Sequence, residues 1–294
     1  MTGRIVVGID GSQQSGNALD WAVARAQLGG ERLELVNSYN LTPAIDFFGY
    51  HGVAAAQDAD WLIELSEHLL EAAAGRVRTR APDLTCTLTS KLGHPAHILA
   101  AASESADAVV VGRRGLGNAA SALLGSVSNQ LTVQARCPLI VVGECDLPAD
   151  GPIVVGVDGS EFGTNALRYA ITEATVRKSF VRAVTAHEVT PHEFPGDPEL
   201  AVRMRAAIEA EAATTSTRAL DEIGTADPAP VTVDPVAVEG RATDAILRHA
   251  EDAQLIVVGT HGKGLIRRVL LGSVSRQLLN DADRPVAIVD LPES

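Results

Sequence analysis

Aromatic side chains are scarce: they make up 3% of the 294 residues, although 46% of the chain is hydrophobic. The interior must therefore be built from Val, Ile, Leu and Ala, a palette suited to parallel strands covered by helices on both faces. Cys86, Cys137 and Cys145 are the only cysteines, too few and too scattered for a disulfide framework or a zinc site. No apolar run approaches the roughly 18–20 residues of a membrane span. The opening MTGRIVVGID moves straight into a strand, without the pattern of a secretory signal. Reduced thiols and a soluble, cytoplasmic protein are expected. Positive charge is also short, and a net charge of −13 argues against a general binder of nucleic-acid backbones, which needs a basic face. A Walker loop is missing, and no G-x-G-x-x-G follows the first strand, which removes the P-loop and the usual dinucleotide fold.

What the chain does contain, it contains twice. IVVGIDGS at Ile5–Ser12 returns as IVVGVDGS at Ile153–Ser160, and NALDWA at Asn17–Ala22 returns as NALRYA at Asn165–Ala170, both 148 residues on. VVVGRRGLG at Val109–Gly117 returns as IVVGTHGKG at Ile256–Gly264, and LLGSVSNQL at Leu123–Leu131 as LLGSVSRQL at Leu270–Leu278, both 147 residues on. One net deletion reconciles the two registers, so the chain reads as a duplicated domain, residues 1–145 and 151–294, joined near ECDLPADGP. In each half short apolar runs alternate with helical spacing: Ile5–Ile9 and Ile153–Val157 open as strands, RLELVNSY and FVRAVTAHEV read as second strands, and Leu139–Val142 and Val286–Val289 close the halves. Long helices are expected around Ala59–Arg78 and Glu199–Glu222. The alternation predicts two doubly wound parallel sheets of α/β class.

In such sheets ligands bind beyond the carboxyl ends of the strands, where the strand order reverses. Three recurring elements fall there: Asp10-Gly11 and Asp158-Gly159, the loops Gly112–Gly117 and Gly259–Gly264, and Gly125-Ser126 and Gly272-Ser273. Both halves space them as Gly-x-x-Gly, nine residues, Gly-Ser. Glycine permits close backbone approach, and a helix starting after such a loop offers unpaired N–H groups to an anion. Ser126 and Ser128, like Ser273 and Ser275, bring hydroxyl donors, with Val127 and Val274 between them. No acidic residue lies between Asp107 and Glu144 or between Asp252 and Asp281. Those intervals carry Arg113, Arg114 and Arg136, and Lys263, Arg267, Arg268 and Arg276. A phosphate-bearing ligand is the reading that uses all of these features; glycines that only turn the chain are the alternative.

Other residues carry less. Asp10 and Asp158 are either Mg²⁺ ligands accompanying a nucleotide or turn residues in D-G-S. His94 and His97 lack the acidic or Cys neighbours of a metal site, and His261 stands where the first loop has Arg114. Phe47, Phe48 and Tyr50 cover the pocket, meet a partner or pack in the core. Cys137, before Pro138, reads as an inert core residue.

The VVGxDGS opening with Gly-x-x-Gly, nine residues, Gly-Ser resembles the ATP-binding members of the universal stress protein family, along essentially the whole chain. The resemblance implies two adenine nucleotide alpha hydrolase-like, Rossmann-like domains of five strands each. It implies an ATP site in each domain, with Mg²⁺ as a possible companion. By resemblance, Asp10 lies at the base side while Gly112, Gly115, Gly125, Ser126 and Ser128 hold ribose and phosphates. In the second half the roles fall to Asp158, Gly259, Gly262, Gly272, Ser273 and Ser275. The adenine contact at the end of strand two falls near Ser38 and Glu188. Gly11, Arg113, Gly117, Val127, Gly159, Lys263, Gly264 and Val274 complete the candidate set. The implied function is a nucleotide-dependent regulatory module of the stress response. It associates through its last strands, as a homodimer or as an intramolecular pair of domains. Slow ATP hydrolysis or phosphoryl transfer is the enzymatic alternative, and an empty scaffold is the third.

Overall fold

The computed structural model describes residues 3–40, 54–115, 124–144, 150–188, 198–224, 231–262 and 271–291. Two compact units divide at Glu144/Cys145. The first runs β1 (Arg4–Gly8), α1 (Gln13–Gly29), β2 (Arg32–Tyr39), α2 (Ala54–Arg80), β3 (Cys86–Leu92), α3 (Pro95–Ser103), β4 (Ala108–Gly112), α4 (Ser126–Gln134) and β5 (Leu139–Val142). The second repeats the succession as β6 (Ile153–Gly156), α5 (Glu161–Arg177), β7 (Val181–His187), α6 (Pro198–Ile223), β8 (Val233–Glu239), α7 (Ala242–His249), β9 (Leu255–Gly259), α8 (Ser273–Asp281) and β10 (Val286–Val289).

Strand order in the first unit is β3-β2-β1-β4-β5, and every neighbouring pair is parallel. In the second it is β8-β7-β6-β9-β10, again parallel throughout. The expected architecture of two doubly wound parallel sheets is thus observed. The central strands are apolar without alternation because helices cover both faces: Val6, Val7, Val109, Val110 and Ile140 are fully buried, as are Val154, Val155, Ile256 and Val257. Strands β3 and β8 lie beyond β2 and β7 and are half exposed, so their sequences mix polar and apolar residues.

Each unit reverses direction between its first and fourth strands. The chain steps outward from β1 to β3, then returns to place β4 on the other side of β1. A crevice opens beyond the carboxyl ends of that pair, and Asp10 and Gly112 stand on its two sides. The second unit puts Asp158 and Gly259 in the same relation.

Candidate functional site

The site begins with a turn. After β1 the chain enters Asp10-Gly11-Ser12, where Gly11 takes a left-handed φ of 82° that a side chain would resist. Asp10 Oδ1 accepts the Ser12 N–H at 2.9 Å, and Ser12 Oγ accepts the Ser15 N–H at 3.1 Å, capping α1. The second unit repeats this, with Gly159 at φ 76°, Ser160 capping α5, and Asp158 Oδ1 accepting both the N–H and hydroxyl of Ser160, at 3.0 and 2.6 Å. Gly11 and Gly159 therefore serve the turn.

Strand β4 ends at Gly112 against the first turn of α1: a Cβ there would lie 2.9 Å from the Gln14 carbonyl carbon. The Arg114 N–H donates to Gln14 Oε1 at 2.7 Å, which holds the glycine loop to the same turn. At Gly259 a Cβ would meet the Phe162 carbonyl oxygen at 3.0 Å. In both units the glycine is required by the chain's own backbone.

Two hydrogen bonds then bring the next helix in. The Gly125 N–H donates to the Arg113 carbonyl at 2.9 Å, and the Ser128 hydroxyl donates to the Gly112 carbonyl at 2.7 Å. Their counterparts are Gly272 N–H to Thr260 O at 2.8 Å and Ser275 hydroxyl to Gly259 O at 2.7 Å. Helices α4 and α8 start at Gly125 and Gly272 with no side chain capping them. The N–H groups of Ser126, Val127 and Ser128, and of Ser273, Val274 and Ser275, thus have no acceptor within their helix.

These parts enclose a cavity of about 580 Å³ in the first unit and about 350 Å³ in the second. Both volumes lie in the range of small-molecule sites, roughly 300–1,000 Å³. Apolar walls come from Val36, Leu99 and Val111, and in the second unit from Val184, Ile246 and Val258. Asp10 and Asp158 supply a carboxylate each. Gly115 packs on Asp10, where a Cβ would overlap Oδ2, and a Cβ at Gly262 would lie 2.6 Å from Asp158 Oδ2. Arg114 lines the first cavity, and its buried Nε has no hydrogen-bond partner among the described residues. In its place the second cavity has His261, whose ring centroid lies 5.2 Å from that of Phe162 and whose Nδ1 is 3.1 Å from Thr260 Oγ1.

Among the residues named from sequence, Asp10, Ser38, Gly112, Gly115, Gly125, Ser126, Val127 and Ser128 line the first cavity. Asp158, Gly259, Gly262, Gly272, Ser273, Val274 and Ser275 line the second. Gly11 and Gly159 lie in the turns beside them, and the Arg113 guanidinium packs against Gly143. Glu188 requires a correction. It is exposed beyond the end of β7 and absent from the lining; Ala186 occupies the place of Ser38. Register explains the two-residue error: Gly8 pairs with Val36 and Gly156 with Val184, so the residues two further on are Ser38 and Ala186. Ser128 and Ser275, expected to offer hydroxyl donors to a ligand, donate them to strand carbonyls instead.

Gly117, Lys263 and Gly264 lie outside the described residues, as do Phe47, Phe48, Tyr50, Arg267 and Arg268. The walls Leu99 and Ile246 were not singled out from sequence, although helical spacing places them on the inner faces of α3 and α7. His94 and His97 have ring centroids 5.1 Å apart and lie away from these walls, apart from Pro95 between them. Among the described residues no group of three or more His, Cys, Asp or Glu gathers to hold a metal, and no helix is long and apolar enough to cross a membrane.

Comparison with known proteins gives one family. The model of the universal stress protein family matches residues 1–143 and again 151–290. Universal stress protein Rv1996 of Mycobacterium tuberculosis is 33% identical over 307 aligned residues, covering 98% of this chain and 95% of that protein. Universal stress protein Rv2005c of the same organism is 31% identical over 293, covering 97% and 96%. The crystal structure of a universal stress protein from Archaeoglobus fulgidus matches with a TM-score of 0.69 at 20% identity, covering 98% of each chain, a likeness of fold. Matched by the family model twice in succession, the chain belongs to the universal stress protein family.

Proposed function

We propose that each domain binds ATP in its cavity, and that the chain works as a nucleotide-dependent binding module of the stress response. The observation that carries this reading is the uncapped start of α4, and of α8, held at a cavity mouth by the Ser128 and Ser275 bonds. Free N–H groups at a helix start, with the positive end of the helix dipole, favour phosphate. The apolar walls of Val36 and Leu99, or Val184 and Ile246, suit the flat faces of a base.

Magnesium fits this arrangement in a limited way. It is commonly held by one or two carboxylates together with substrate phosphates, and Asp10 or Asp158 is the carboxylate each cavity offers. Bound there, the ion would neutralise phosphate charge. The protein's own part is to position: Ser12 and Ser160 fix the carboxylates, and the glycine loops keep the helix start close to them.

Binding is favoured over turnover by the same geometry. Phosphoryl transfer to water requires a group that positions the nucleophile. The lining carboxylate is in each case engaged by a serine N–H, and neither the Gly112–Gly115 segment nor Gly259–Gly262 holds Asp, Glu or Gln. We place this module in the cytoplasm. Self-association, within the chain or between copies, belongs to the same proposal and is read by light scattering across a concentration series.

The decisive experiment is calorimetric titration of the full chain with ATP, alongside mass spectrometry of protein denatured directly after purification. Two ATP bound per chain is the expected stoichiometry. Absence of binding with an intact fold refutes the proposal. A turnover near the enzyme median of about 10 s⁻¹, abolished by Asp10→Ala together with Asp158→Ala, establishes the enzymatic alternative.

A further inference from the structure

The two units finish their sheets differently on the outer side. Strands β3 and β8 stand beyond β2 and β7, and among the described residues each has a neighbouring strand on one side only. Successive residues of such a strand turn their N–H and C=O groups alternately to its two sides. The Leu33 N–H donates to Thr85 O and the Gly93 N–H to Tyr39 O, both at 2.9 Å, so the odd-numbered residues of β3 serve β2. The backbone groups of Cys86, Leu88, Ser90 and Leu92 therefore point outward, with no backbone partner among the described residues. In β8 the Val181 N–H donates to Thr232 O and the Gly240 N–H to His187 O, also at 2.9 Å, which turns Val233, Pro235, Ala237 and Glu239 outward. Leu88 pairs with Leu35 and Pro235 with Ala183, the repeat of Leu35, so Pro235 is the counterpart of Leu88; by the same register Glu239 is the counterpart of Leu92. A proline without an outward N–H and a charged residue are the means by which sheets close an edge. The first unit has leucine at both places, 38% and 56% exposed.

We infer that the outer edge of β3 is an interface between two copies of this chain, paired antiparallel about a two-fold axis through Thr89. Such a contact sets a strand against its own image, so every residue must suit the one it meets. In this register Leu88 pairs with Ser90 of the second copy and Cys86 with its Leu92, the closely bonded positions of an antiparallel ladder. Each outward N–H and C=O of β3 then gains a partner, and no residue is left over. Lys91, the only charged residue of the strand, meets Thr87 rather than itself, so like charges are kept apart. Thr89, on the axis, is neutral. A second copy thus supplies all that this edge lacks, whereas at β8 the missing N–H of Pro235 breaks the equivalent ladder. The interface gives a surface to the self-association proposed above, at the end of the first sheet opposite β5, and it stands independently of nucleotide binding.

Analytical ultracentrifugation of the full-length parent, Leu88→Pro and Thr89→Lys across a micromolar-to-millimolar concentration series tests this. The parent should dimerise, and its Leu88 and Ser90 amides should exchange hydrogen more slowly at the high end of the series than at the low end. Leu88→Pro copies the proline of the second half and removes two bonds per dimer, one from each copy. Dimerisation should weaken by about 5- to 150-fold, the range of two net hydrogen bonds. Thr89→Lys keeps every backbone group but sets a charge against its own image; it should also weaken the dimer, and high salt should restore part of the loss. Circular dichroism and melting at the lowest concentration verify that each variant is folded, and if Leu88→Pro is not, Thr89→Lys decides alone. A parent that stays monomeric throughout overturns the inference. So does a dimer that the folded variants leave intact, which would move association to another surface. Calorimetry with ATP reads the nucleotide proposal separately: the variants should bind as the parent does, and a parent that binds no ATP leaves this interface standing.

Discussion

Ser128→Ala separates two uses of one hydroxyl. Ser128 is 3% exposed, and its hydroxyl donates to the Gly112 carbonyl at 2.7 Å, tying the start of α4 to the end of β4. Deleting it leaves a carbonyl short of a donor, which costs about 1–3 kcal/mol when the group is buried. Gly112 is only half-buried, so water recovers part of the loss and about 1–2 kcal/mol is expected. With a urea slope of about 2 kcal/mol/M, the midpoint falls by about 0.5–1 M. Ser275→Ala cuts the matching bond, also 2.7 Å, to a Gly259 that is buried, and should lose at least as much. Urea titrations followed by circular dichroism measure both, and calorimetry with ATP supplies the second readout. Because each hydroxyl proton is already committed to a strand carbonyl, ATP affinity should change less than about twofold, well under 1 kcal/mol. An unchanged urea midpoint with a tenfold loss of affinity would refute the reasoning, since the hydroxyl would then be serving the ligand.

Gly115→Ala must push the Asp10 carboxylate aside, and Gly262→Ala the Asp158 carboxylate; each should weaken ATP at its own site by about 1–2 kcal/mol, roughly 5- to 30-fold, and calorimetry showing two unaltered sites would remove these loops from the binding surface. The Cys137 thiol is pushed up to about 12, chiefly by burial and further by the Asp107 carboxylate. Iodoacetamide at pH 8 should therefore leave it unlabelled in the native chain and label it in urea, as read by peptide mass spectrometry; rapid native labelling contradicts this. The hydrogen bond from Arg182 to Asp252, 2.8 Å, holds that carboxyl below its ordinary range. A depressed carboxylate contributes stability above its unfolded value and loses it as pH falls through the folded value. An NMR titration should place Asp252 low in the parent and back near the ordinary range in Arg182→Gln, with only a small change in acid stability because Asp252 is largely exposed.

Architecture was legible because its signals are local. Strand RLELVNSY could be read to its ends from composition, and a turn was one of the two readings that the repeated D-G-S allowed. The glycine spacing pointed to the crevice that these glycines line, but not to the parts of the chain that crowd two of them. Gly112 and Gly259 face Gln14 and Phe162, residues about a hundred positions away whose approach depends on how α1 and α5 cross the sheet. Glu188 failed for a related reason. The run FVRAVTAHEV is apolar over too many positions to fix its own register, whereas the pairing of Gly156 with Val184 fixes it. Carrying the 148-residue repeat interval forward from Ser38 would have reached Ala186.

The clasp at the base of the glycine loop has a consequence for how the two halves could diverge. Gly125 N–H to Arg113 O and Ser128 hydroxyl to Gly112 O close the segment at its neck, as their counterparts do in the second half. Whatever chain lies between is then a closed loop whose lengthening costs little, about 0.6 kcal/mol per doubling. The donors at the helix start keep their places regardless of its content. Substitution has used that freedom: between the fixed glycines the first half reads LGNAASALL and the second KGLIRRVLL, neutral against three added positive charges. The neck works as a socket, into which a new loop of different charge can be plugged without rebuilding the cavity itself.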